Sequence, residues 1–195
     1  MTGLIPPGLA GHRELPLVTP DLTRAQKERA AVVSLNKAVE LSLLIRESDT
    51  EKSVAQWLGA QLEKIHVKLK VRAASGSSFY NELEEGKYDL ALTVWSFDVA
   101  SPLEILKAFE TSSSENRGGW TNVGFDALLG QLDRERNSKA AAGLVDQITQ
   151  VVEVQDVGVI PLGYPTQPFL LGPRVVSFAI TPFGDPDLVK IQLKH

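Results

Sequence analysis

The sequence contains no cysteine. Disulfides, thiol nucleophiles and thiolate metal sites are therefore excluded, and the absence is compatible with either side of a membrane. Histidine is scarce: His12, His66 and His195 are the only three, and no two are spaced as the zinc-binding pair of a metalloprotease. There is no G-x-S-x-G elbow and no Walker-type Gly-Lys-Ser/Thr loop. Gly76-Ser77-Ser78 and Gly118-Gly119 lack the spacing of a dinucleotide fingerprint. No apolar run approaches the length of a membrane span. Met1–Gly8 has neither the basic n-region nor the apolar h-region of a signal peptide. An excess of basic charge is also absent: the formal net charge is −4, on the acidic side. A nucleic-acid binder should carry a basic footprint instead. Lys64-Ile65-His66-Val67-Lys68-Leu69-Lys70 alternates, which describes one face of a strand rather than a phosphate-tracking patch. These absences point to a non-enzymatic protein with no metal, no cofactor and no nucleic-acid partner.

What is present is an ordinary globular composition, 43% hydrophobic and 23% charged over 195 residues, enough to bury a sizeable core. Residues 1–18, rich in Pro and Gly, read as an irregular lead-in, and 19–195 as a single α/β lobe. Thr19 caps a helix with Pro20 at its first position, running to about Asn36. Val39–Ile45 alternates as a strand. Ser48 and Glu51 form a capping box for a helix whose apolar stripe is Val54, Trp57, Leu58, Leu62 and Ile65, so Trp57 reads as structural. A second strand, Val67–Val71, carries a polar face on which His66 is expected. A short helix bearing Phe79, Tyr80 and Leu83 stops at Gly86, suited to a left-handed cap. Tyr88–Trp95 is a near-continuous apolar strand, expected at the centre of a covered sheet. The β-α-β-α-β order predicts a mainly parallel sheet flanked by helices.

Ser101-Pro102-Leu103-Glu104 opens a further capping box and a helix to about Phe109. A polar loop, Thr111–Asn122, holds Trp120 as its one large aromatic. Two helices follow, with stripes Phe125-Leu128-Leu129-Leu132 and Leu144-Val145-Ile148-Val151-Val152. Val157–Leu162, Pro168–Leu171, Val175–Ile180 and Leu188–Leu193 read as short strands broken by Gly and Pro.

The most specific feature is the strand from Gly86 that runs into Trp95 and then Asp98. Ligands of open α/β sheets collect outside the carboxyl ends of the strands. A carboxylate there can neutralise a ligand ammonium by a charge-assisted hydrogen bond, and Trp95 can add a cation–π face. The plainer alternative is that Asp98 ends a strand or bonds nearby backbone N–H groups. Trp95 reads equally as core. Trp120 and Asn122 in the polar loop, and Tyr164 between Gly163 and Pro165, read either as ligand contacts or as packing.

Tyr88-Asp89-Leu90-Ala91-Leu92-Thr93-Val94-Trp95-Ser96-Phe97-Asp98-Val99-Ala100-Ser101-Pro102 resembles the peptide-type solute-binding proteins of ABC importers, family 5, with their "y-D-l-a…W-x-x-D-y-x-x-P" run. The likeness continues through Asn116–Asn122, Phe125–Leu129 and Val159-Ile160-Pro161-Leu162, and Leu4-Ile5-Pro6-Pro7-Gly8 is similar to the family's "s-x-i-P-x-G" segment. Val99, Ser101 and Leu92 depart from the pattern, which leaves the ligand's identity open. The resemblance implies the C-terminal lobe of a type II periplasmic-binding-protein fold, whose partners would be a peptide, a membrane permease and an N-terminal lobe of the same protein. It implies that Asp98 takes the α-ammonium of the peptide, and an extracytoplasmic location with the signal outside this chain. The rival expectations are an effector-sensing domain of a cytoplasmic transcription regulator, an enzyme built on a similar lobe, which would need a cluster of titratable groups around Asp98, or a binder of the same family carrying nickel, haem or a sugar.

Overall fold

Alternating strands and helices between residues 39 and 91 build a parallel sheet, as the sequence pattern predicts. The computed structural model describes residues 3–13, 20–33, 37–166, 168–181 and 184–194. The expected cap at Thr19 and helix end at Asn36 lie outside these. The chain divides into two units: a sheet unit, Val18–Trp95 with Ser114–Trp120, and a helical unit, Met1–Leu17, Ser96–Ser113 and Thr121–His195.

The sheet unit runs α1 (Leu22–Val32), β1 (Val39–Arg46), α2 (Asp49–Glu63), β2 (Val67–Ala74), α3 (Gly76–Glu85) and β3 (Leu90–Ala91). Its strands lie in the order β2-β1-β3, all parallel. Helix α1 is capped by Asp21, whose side chain accepts from the Arg24 N–H. Strand β1 is central, and alternation sends its apolar residues to both faces. Leu44 packs with Ala74 and with Phe79 and Leu83 of α3, while Leu43 and Ile45 pack with Ala55 of α2. Gly86 ends α3 in the left-handed region at φ 64.

Strand β3 is much shorter than the predicted Tyr88–Trp95, and it is an edge strand rather than a central one. Two carboxylates account for its length. The last rung on this side is Leu92 N–H to the Leu44 carbonyl. The next would take the Arg46 N–H to the Leu92 carbonyl, in the regular spacing of a parallel ladder. Glu51 intercepts it: its Oε2 accepts the Arg46 N–H at 2.7 Å. At the other end, Asp89 Oδ2 accepts both the Ser42 N–H and the Ser42 hydroxyl at 2.7 Å, where the Tyr88 carbonyl would have paired. Those hydrogen bonds, backbone first and side chain second, hold the Asp89 carboxyl below its ordinary value. Ser48 does cap α2, its Oγ accepting from the Glu51 N–H. The Glu51 carboxylate turns to Arg46 instead of closing the predicted box.

Trp57 corrects the sequence reading. It is 58% exposed, because it stands roughly opposite Ala55 on α2, at about 200° of helical rotation. His66 precedes β2 in a turn with left-handed backbone (φ 58), and is not on the strand.

The helical unit contains α4 (Pro102–Lys107), α5 (Val123–Arg134) and α6 (Ser138–Thr149), the last continued by a π-helical segment, Gln150–Gln155. Ser101 precedes α4 but makes no side-chain cap bond, so the predicted box is absent there. The buried side chains are Ile105 and Leu106 of α4, Phe125, Leu129 and Leu132 of α5, Val145 and Ile148 of α6, and Val152. Most of the predicted C-terminal strands do not form. Among the described residues β4 (Val175–Ser177) and β5 (Gln192–Leu193) pair, antiparallel, with a register shift, and Ile180 and Pro186 form an isolated antiparallel bridge. Val157 has φ 52, incompatible with an extended strand, and the prolines between 161 and 173 remove ladder donors. Leu188–Lys190 is a 3-10 turn.

The lead-in is irregular but tightly held within the helical unit. Ile5 is buried, and Arg13 pairs with Asp146 at 2.9 Å. Gly11 lies against Val145 so closely that an added Cβ would meet Cγ1 at 2.4 Å, and its φ is +85. Gly86 has a left-handed φ but open space around it. Gly11→Ala is therefore expected to cost about 3 kcal/mol or more through strain plus overlap, and Gly86→Ala about 1 kcal/mol through strain alone. Urea denaturation of the two variants checks the difference; equal losses would show that Val145 yields to the methyl group.

Candidate functional site

In open parallel sheets the ligand crevice lies outside the carboxyl ends of the strands, at the point where the strand order reverses. In the sheet unit that point is between β1 and β3. Arg46 and Glu51 occupy the end of β1. Glu51 is only 4% exposed and engages Arg46 three times: at the main-chain N–H, at Nε (2.6 Å) and at Nη2 (2.5 Å). The Arg46 guanidinium also lies 5.9 Å from the centre of the Phe79 ring. This pair is consumed by the architecture. What it leaves open is the Leu92 carbonyl, which has no donor among the described residues because Glu51 has taken its partner. Beyond it Val94 is exposed and Trp95 half-buried.

The loop that carries Trp120 is anchored to α3 in the same unit. The Tyr88 hydroxyl donates to the Arg117 carbonyl at 2.9 Å. Burial pushes the Tyr88 phenol up, partly offset by the Arg117 charge. The Arg117 guanidinium lies 5.8 Å from the Tyr80 ring centre, with Glu84 and Glu115 carboxylates at 3.9 and 3.7 Å. Asn116 Nδ2 donates to the Trp120 carbonyl at 2.6 Å. These contacts hold the loop in which Trp120, half-buried, is placed.

Asp98, Asn122 and Tyr164 belong to the helical unit, where the structure gives them different duties. Asp98 lies in a bend well past the end of β3, not at a strand tip. It is exposed, and among the described residues its carboxylate has no hydrogen-bond or ion-pair partner. Asn122 is the N-cap of α5: Oδ1 accepts the Phe125 N–H at 2.9 Å while Nδ2 donates to Asp156 at 2.7 Å. The Tyr164 hydroxyl meets the carbonyls of Gly3 and Ile5, clasping the lead-in. Both ends of the Asn122 amide and the Tyr164 hydroxyl are thus engaged in holding their own unit together.

Glu153, on the π-helical segment, was not singled out by sequence, since nothing local marks a glutamate that contacts residue 4. Its Oε1 accepts the Leu4 N–H at 2.7 Å. Burial pushes its carboxyl up, against smaller downward pulls from that hydrogen bond and from Arg13. It borders a cavity of about 50 Å³ beneath the lead-in, room for water rather than a peptide. An open groove along α6, lined by Arg13, Asp146 and Gln150 among others, includes none of the sequence-predicted residues either. Among the described residues no three His, Asp or Glu side chains converge as metal ligands, and no helix is long and apolar enough to cross a membrane.

No family model matches the chain. Curated relatives do. A dipeptide-binding protein of Bacillus subtilis, DppE, is 25% identical over 154 residues, covering 78% of this chain and 28% of that protein. A probable di/tripeptide-binding protein of Pseudomonas aeruginosa is 24% identical over all of this chain and 38% of its own length. Among solved structures, HbpA2 from Haemophilus parasuis superposes with a TM-score of 0.81 at 20% identity, covering 100% of this chain and 40% of that one. The fold is accordingly that of part of a periplasmic-binding protein, and the curated homologues include dipeptide- and probable di/tripeptide-binding proteins. The chain spans 28% to 40% of the length of these relatives.

Two substitutions test the structural roles. Asn122→Ala removes the α5 cap and is expected to cost about 1 kcal/mol in chemical denaturation; no loss would mean that the cap is not needed. Glu153→Gln keeps an acceptor for Leu4 without the charge. Because the folded pKa of Glu153 is raised above its unfolded value of 4.5, its protonated form favours folding at low pH, and that contribution is lost as pH rises through the folded value. The thermal stability of the variant relative to wild type should therefore grow from about pH 4 to about pH 7. A pH-independent difference would contradict the burial argument.

Proposed function

We propose that this chain is a ligand-binding lobe of a substrate-binding protein that captures peptides for an ABC importer, and that Asp98 receives the peptide α-ammonium. The observation that carries the reading is the Asp98 carboxylate itself, exposed and without a partner among the described residues, in a chain whose homologues are named as peptide binders. Most other polar groups of the predicted set are committed to the fold; this one is left for a ligand. An ammonium cannot be taken from water without a hydrogen-bonded counter-charge, and a carboxylate is the strongest available. The Leu92 carbonyl, left unpaired at the carboxyl edge of the sheet, supports main-chain recognition, which accepts varied side chains. Trp95 and Trp120 are the aromatic candidates for contact with the ligand.

The proposed partners are a membrane permease and a further lobe, with an extracytoplasmic location. Exposed apolar side chains support the second lobe. Val154, Ile160, Leu162, Leu170, Leu188 and Val189 all lie open on the helical unit, more apolar surface than a self-sufficient domain usually leaves in water. Binding of peptide would close the two lobes around it, and the closed form would be what a permease recognises.

One lobe supplies half of a desolvating wall, so this chain alone should bind peptide only weakly. Amide NMR with a tripeptide at millimolar concentration is expected to shift the residues around Asp98. Asp98→Asn, or N-acetylation of the peptide, should weaken the response about tenfold or more, the scale of one charge-assisted hydrogen bond. Undiminished binding by the variant would remove Asp98 from the site.

A further inference from the structure

Three polar or charged residues are buried among those described: Arg29, Glu51 and Thr149. Two of them are answered within the chain. Glu51 pairs with Arg46, and the Thr149 hydroxyl donates to the carbonyls of Val145 and Asp146 at 3.0 and 3.1 Å. Arg29 is different. It stands in the last turn of α1, 8% exposed, with Nη2 donating to the Lys37 carbonyl at 2.5 Å and reaching the His66 carbonyl at 3.4 Å. Its Nε and Nη1 are buried and meet no acceptor.

Unmatched guanidinium nitrogens also occur at Arg72 and Arg117, but each of those residues has a carboxylate nearby. Glu82 lies 3.1 Å from Arg72, and Glu84 and Glu115 lie 3.9 and 3.7 Å from Arg117. No carboxylate among the described residues pairs with Arg29. A guanidinium is a permanent charge, and a buried charge without a counter-ion is strongly destabilising. The local sequence adds to the imbalance. The two carbonyls that hold the group belong to Lys37 and His66, and Lys64 and Lys68 flank His66. The acids of this neighbourhood, Glu40 and Glu63, are exposed.

We infer that Arg29 is the base of an anion site at the amino edge of the sheet, taking a compact oxyanion of the phosphate class. The location follows from the strands: Lys37 lies two residues before β1 and His66 one residue before β2, so the site is at the opposite end of the sheet from the carboxyl edge. The choice of ligand follows from the donors. The free N–H groups are distributed around a planar fork, and an oxyanion with several oxygens can meet more than one of them while neutralising the charge. The contact to the His66 carbonyl, at 3.4 Å, is long enough to yield as it enters, while the Lys37 carbonyl keeps its hold on Nη2. Free phosphate and the phosphate of a lipid headgroup share this chemistry.

Thermal unfolding of the full 195-residue chain tests the inference, comparing inorganic phosphate with chloride at equal ionic strength. Binding to the folded state should raise the wild-type midpoint by about 3 °C or more at saturating phosphate. Arg29→Met should show no such response, and in phosphate-free buffer should melt above wild type because the uncompensated charge is gone. Arg29→Lys, which keeps the charge without the fork, should need about tenfold more phosphate for the same shift. Sedimentation with phosphatidylglycerol vesicles against phosphatidylcholine vesicles identifies the source. Arg29-dependent pelleting assigns a lipid headgroup, and a phosphate response without pelleting assigns the free anion; either upholds the site. Should Arg29→Met fail to fold, the phosphorus NMR line of phosphate with wild-type protein decides, since broadening reversed by sulfate upholds the site. No wild-type response, or an equal response in wild type and Arg29→Met, overturns it.

Discussion

The carboxyl edge of the parallel sheet depends on one buried carboxylate. Glu51, in the first turn of α2, reaches back to the end of β1 and takes both the main-chain N–H and the guanidinium of Arg46. A buried acid is costly unless its lone pairs are filled, and here they are filled by groups that would otherwise need partners themselves. The same contact closes the ladder on one side and thereby frees the Leu92 carbonyl. Strand pairing, helix start and an open sheet edge are three consequences of one interaction.

The fold commits some polar groups of this chain and leaves others over. Asn122 and Tyr164 are chemically suited to touch a peptide, yet α5 and the lead-in claim their polar atoms. Asp89 is drawn down onto Ser42 and ends a ladder. Asp98 is exposed, and among the described residues no hydrogen bond or ion pair engages its carboxylate. The same reasoning, applied to cations, separates Arg29 from Arg46, Arg72 and Arg117, each of which faces an acid.

Much of the sheet unit was legible from sequence because its signals are local. Alternation marked β1 and β2, Ser48 marked the start of α2, and Gly86 marked the end of α3. The run Tyr88–Trp95 misled for a physical reason: apolar residues say that a segment can be a strand, but a ladder needs free partners, and Glu51 and Asp89 had taken them. Trp57 stands near an apolar stripe in the sequence, but its angular position on α2 turns it outward. The C-terminal segments carry strand-like residues, but prolines and the left-handed backbone at Val157 interrupt them.

Sequence by itself determined the class of the chain, the parallel β-α-β order and the family its motifs resemble, because periodicity, caps and short motifs act over a few residues. Tertiary structure alone decided which charges are spent and which are free. Glu153 meets Leu4, and Arg29 meets carbonyls but no acid, across separations that no local pattern encodes. Whether a polar atom is satisfied depends on everything folded around it, and that is settled only when distant segments pack.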